Sequence, residues 1–89
     1  MTIFEADINI AVGDVQVEVL DVHPTNADPI NVEMAREAIR LGAEKVLRPR
    51  GTGAFIRVKR VVIHPIDFNP RRFERHTAEE IERLLGDAS

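Results

Sequence analysis

The chain has 89 residues, 30% of them charged, a net charge of −3 and no cysteine. That length suits one domain, residues 1–89, with a small core; the lack of cysteine excludes disulfides, thiolate nucleophiles and thiolate-held metals and is compatible with a reducing cytoplasm. No run approaches the roughly 20 apolar residues of a membrane span, and Met1 to Asp7 carry neither a basic segment nor a long apolar one, so no membrane anchor or signal peptide is expected.

Residues 4–12 alternate between apolar and polar side chains, and so do residues 15–19. Gly13-Asp14 between them reads as a two-residue hairpin turn, because glycine suits the first central position of a type II′ turn. Pairing Val12 with Val15, Ile10 with Val17 and Ile8 with Val19 puts the apolar residues of both strands on one face. Glu5, Asp7 and Glu18 then occupy the opposite face, with Leu20 and Ile3 beside them. The second strand is expected to end at His23-Pro24, where proline removes a ladder donor.

Asp28-Pro29 has the form of a helix cap followed by proline at the first helical position. The helix is expected to run from about residue 29 or 32 to about 47 and to end at Pro49. Val32, Ala35, Ile39, Ala43 and Val46 share one stripe, widened by Met34, Ala38 and Leu41. Glu33, Arg36, Glu37, Arg40 and Glu44 lie on the wet side at ion-pairing spacing. Arg50 to Ala54 forms a turn, Phe55 to His64 a third strand, and Ile66 to His76 an ordered loop. Thr77-Ala78-Glu79-Glu80 has the pattern of a capping box opening a short helix that stops at Gly86.

The expected fold is a small α+β two-layer sandwich in the order β-β-α-β-α. A three-stranded mixed sheet packs on a long helix and a short C-terminal helix. The third strand returns parallel to the second and lies beside the first, in the order 2-1-3, leaving one sheet face open to solvent.

The net charge conceals a division. Residues 1–44 carry nine acids and two arginines, residues 45–76 nine cations and two acids, and residues 77–89 four acids and one arginine. Such asymmetry points to a charged partner. Part of it can cancel in space if Arg57 and Lys59, on a face shared with Phe55 and Val61, lie beside Glu5 and Asp7. Arg48 and Arg50 in the turn, and Arg71, Arg72 and Arg75 in the loop, lie beyond that pairing and form a candidate basic patch for phosphate or an acidic partner.

Few residues suggest catalysis or a cofactor. His23 and His64 end parallel strands and belong at one end of the sheet, where Asp21, Asp67 and His76 can approach, but no His-x-His or His-x-x-x-His spacing marks a metal site. The single serine is Ser89 and there is no tyrosine. Arg50-Gly51-Thr52-Gly53 follows a helix rather than preceding one, the reverse of a phosphate loop. The stretch from Arg50 to Val58 departs from the glycine-aromatic motif of RNA-recognition domains, since Thr52 stands where an aromatic is required.

No catalytic residue, metal or cofactor is therefore assigned. The expected function is a non-enzymatic protein-interaction module, such as an adaptor, an assembly subunit or a small inhibitor of a larger machine. Its binding face would be the acidic sheet surface of Glu5, Asp7, Glu18 and Leu20. The alternative is a nucleic-acid-binding module using the basic segments 48–50 and 71–75, against which the acidic balance counts. A homo-oligomer is left open.

Overall fold

A computed structural model describes residues 4–64 and 66–87. The chain forms an α+β structure with strands β1 (Phe4–Ala11), β2 (Val15–Val19) and β3 (Val22–His23). Helix α1 (Pro29–Leu47) follows, then a single 3₁₀ turn at Arg48–Arg50, strand β4 (Gly53–Val62) and helix α2 (Pro70–Asp87). The sheet is mixed, and both helices lie on one side of it.

The sheet order corrects the expected hairpin. β4 lies between β1 and β2, antiparallel to the first and parallel to the second, so β1 and β2 do not pair. Ile8 and Val17 are both paired with Ile56 rather than with Val19 and Ile10. The link at Val12-Gly13-Asp14 instead arches over the start of β4. Gly13 adopts a φ of 120°, and a Cβ on Gly53 would stand 2.1 Å from the Gly13 carbonyl oxygen. Only glycine lets the strand begin so close beneath another backbone. The Thr52 hydroxyl ties this crossing together by donating to the Ala11 carbonyl at 3.0 Å.

The second strand does reach His23, with one interruption. β2 and β3 share one parallel register against β4, from Val15 opposite Ala54 to His23 opposite Val62. The ladder breaks at Leu20-Asp21, although Leu20 N–H still donates to the Val58 carbonyl and Val61 N–H to that of Asp21. The His23-Pro24 peptide is cis.

β4 also carries a bulge. Glu5 pairs with Arg60 but Ala6 with Val58, so Lys59 is the extra residue. An added residue reverses the alternation beyond it. Val61 consequently turns inward and is buried, instead of sharing the outer face with Arg57 and Phe55.

Helix α1 begins where the cap pattern places it. The Asp28 carboxylate accepts from Ile30 N–H at 2.9 Å, and Pro29 occupies the first turn. Asp28→Ala should cost about 1 kcal/mol, read as a lower urea midpoint with an unchanged slope. Ala35, Ala38, Ile39, Gly42, Ala43 and Leu47 are buried where the helix meets β2, β4 and α2. Met34 and Leu41 are exposed and do not widen the stripe. Gly51, at φ 68°, turns the chain from the 3₁₀ segment towards β4.

Helix α2 is longer than expected and starts within the predicted loop. Asn69 caps it, its side-chain oxygen accepting from Arg71 N–H at 3.0 Å, and Pro70 follows. Thr77 is not a cap: it is buried in mid-helix, and its hydroxyl donates to the Phe73 carbonyl at 2.7 Å. Glu80 bonds forward to Arg83 instead of back to Thr77. The helix continues through Gly86. Phe73 anchors it, stacked on Phe4 at 6.1 Å and tilted against Phe68 at 5.8 Å. Phe4 and Phe73 join Ile39, Leu47, Ile56, Val58 and Ile81 in one buried cluster, with Phe68 partly buried against it.

Candidate functional site: the charged surfaces

Each cation of the central strand has an acidic neighbour, and Arg57 has one on either side. Glu5, Asp7, Glu18 and Leu20 are exposed on the open sheet face, as the alternation requires; Ile3 lies outside the described residues. The Lys59 ammonium stands 3.5 Å from the Asp7 carboxylate. The Arg57 guanidinium, although opposite Asp7 in register, reaches the other way, to Glu18 at 4.0 Å. Its carbon also stands 6.0 Å from the centre of the Phe55 ring. Arg60 is the register partner of Glu5. The face thus alternates in charge across three strands and is not uniformly acidic. Exposed pairs of this kind stabilise little, but they cancel much of the field that an approaching partner would feel.

The wet side of α1 is also paired. Glu33 bonds to Arg36, and Arg40 is held between Glu37 and Glu44. The hydrogen bond from Arg36 holds the Glu33 carboxyl below its ordinary range, and that from Arg40 does the same for Glu37. These carboxylates are therefore neutralised by residues of their own helix.

A different set of cations has no such partner. Among the described residues, Arg48, Arg50, Arg71, Arg72 and Arg75 are all exposed and none takes part in an ion pair. Arg71 and Arg75, one turn apart on α2, line a shallow groove against α1 with Lys45. Lys45 also borders the hollow that contains Arg48. Sequence reading missed Lys45 because it treated residues 66–76 as a loop. Only once Arg71 and Arg75 are known to lie on a helix packed against α1 does Lys45 join them. The same groove is lined by Glu74, Glu79 and Glu82, interleaved with the cations.

The histidines do not converge on a metal site. His23 and His64 do lie at one end of the sheet, where Ile63 N–H donates to the His23 carbonyl. His23 is exposed, whereas Nε2 of His64 is buried without a hydrogen-bond partner. His76 is engaged in edge-to-face packing with Phe4 at 5.0 Å. Among the described residues no three His, Asp or Glu side chains gather as metal ligands would, and no helix is long and apolar enough to cross a membrane. Comparison with protein-family models, curated proteins and solved structures found no match.

Proposed function

We propose that this chain is a non-enzymatic interaction module that binds another protein through the groove between α1 and α2. The supporting observation is the groove's lining of two signs, with Lys45, Arg71 and Arg75 interleaved with Glu74, Glu79 and Glu82. Unpaired cations are free to meet carboxylates of a partner, while the neighbouring acids favour a surface that returns positive charge at matching places. The sheet face is a weaker candidate, because its acids already have cations beside them.

Nucleic-acid binding is the second reading, supported by the unpaired Arg48, Arg50, Arg71, Arg72 and Arg75. A phosphate backbone offers only negative charge, so Glu74, Glu79 and Glu82 would repel it along the groove. Charge reversal tests the groove, and nuclease treatment separates the readings. Arg71→Glu with Arg75→Glu should leave the fold intact, since both side chains are exposed. In affinity capture from a host lysate, the original chain should retain a protein that the double variant loses, and nuclease should not release it. Release by nuclease, or salt-sensitive binding of short DNA or RNA at low ionic strength, would favour nucleic acid instead.

A further inference from the structure

We infer that two copies of this chain join along β1, each extending the other's sheet as an antiparallel neighbour. This goes beyond the groove reading and does not depend on it. β1 is the long free edge: eight residues pair with β4 on one side and, among the described residues, with no strand on the other. It holds no proline, lysine or internal bulge of the kind that keeps edges apart; the bulged residue is Lys59, on β4, and the two charges of β1, Glu5 and Asp7, have cations of β4 beside them. The opposite edge is less suited, because β2 has only five residues and its ladder breaks at Leu20-Asp21.

The sequence of β1 fits itself in one long register. Across a two-fold axis at Ile8, that residue meets its own copy and Ala6 meets Ile10, so the apolar residues stay on one face. On the other face Asp7 meets Asn9 and Glu5 meets Ala11. No acid then stands directly opposite another acid. A two-residue shift that centres the axis on Asp7 would set two carboxylates face to face, and a one-residue shift would set apolar side chains against polar ones. Lys59 at 3.5 Å from Asp7 and Arg60 opposite Glu5 lower the repulsion between two such strands. Exposure agrees with an uncovered edge: Ile10, on the inward face of β1, is 41% exposed.

Sedimentation equilibrium of the full chain should show a monomer–dimer equilibrium. Asn9→Asp creates two symmetry-related acid pairs in the dimer and should weaken it several-fold to about tenfold, while Asn9→Lys should strengthen it by a similar factor. Asn9 is exposed, so neither change should alter the fold. The native chain has no cysteine, so Ile8→Cys should form a disulfide-linked dimer under mild oxidation, the strand spacing lying within disulfide reach. Gln16→Cys, on the β2 edge, should not. A chain that stays monomeric up to millimolar concentration would overturn the proposal. So would a dimer indifferent to both Asn9 variants, or cross-linking at residue 16 in place of 8.

Discussion

Gly42→Ala should destabilise the protein, although alanine is the better helix former. Intrinsic propensity favours the substitution by about 1 kcal/mol. Packing opposes it, because the new Cβ would stand 2.2 Å from the Glu74 carbonyl oxygen and 3.0 Å from the carbonyl carbon. These are backbone atoms, so no rotamer change relieves the clash and α2 must shift as a body. Overpacking of this kind costs about 1–3 kcal/mol, occasionally more. The shift would also loosen Phe73 and Thr77, which are buried on α2. Thermal or urea unfolding should show a net loss. A gain close to the propensity value would mean that the two helices do not approach as closely as the structure shows.

Ile56→Ala should have the largest effect of any single truncation. Ile56 is fully buried at the middle of β4 and is the register partner of both Ile8 and Val17. Removing such a side chain typically costs about 2–5 kcal/mol, the transfer term plus the cavity left behind. A domain of this size has only about 5–10 kcal/mol to lose. Denaturant titration should therefore show a fold near its limit, with a substantial unfolded fraction at physiological temperature. Ile10→Ala, at the exposed end of β1, should cost about 1 kcal/mol or less by the same measurement. Equal losses at the two positions would contradict the central placement of β4.

The comparison between these isoleucines shows what the sequence made legible and what it did not. Alternation assigned Ile8, Ile10, Val17 and Val19 to one face, and that assignment holds. It did not reveal the neighbours: a strand inserted between β1 and β2 preserves the same inward and outward sets, so a hairpin and a split pair sort these side chains alike. The parallel return of β4 through α1 was legible because handedness constrains it. The bulge at Lys59 was not, since nothing in Arg57-Val58-Lys59-Arg60-Val61 marks which residue is extra. For α1, Asp28-Pro29 marks the start of the helix in sequence and structure alike. The equivalent Asn69-Pro70 is masked in the sequence by Thr77-Ala78-Glu79-Glu80, a stronger pattern, and by Thr77 itself, a polar residue in the apolar stripe between Phe73 and Ile81. A threonine that bonds back to the preceding turn can occupy such a position. The unpaired status of Arg48, Arg71 and Arg75 depends on where other charges come to rest, and spacing along the chain could not supply that.

The insertion of β4 between β1 and β2 also sets a timetable for biosynthesis. Phe4 pairs with Val61 and Val15 with Ala54, so the sheet partners of the first two strands are among the later residues to leave a ribosome. Two apolar-striped strands must wait through the making of an entire helix before either can be hydrogen-bonded. Contacts of such long sequence separation fold slowly and expose strand edges in the interval. Among the described residues no hairpin of adjacent strands can act as a seed; the sheet closes late, around β4, and a break anywhere before Gly53 would remove the strand on which both β1 and β2 are paired.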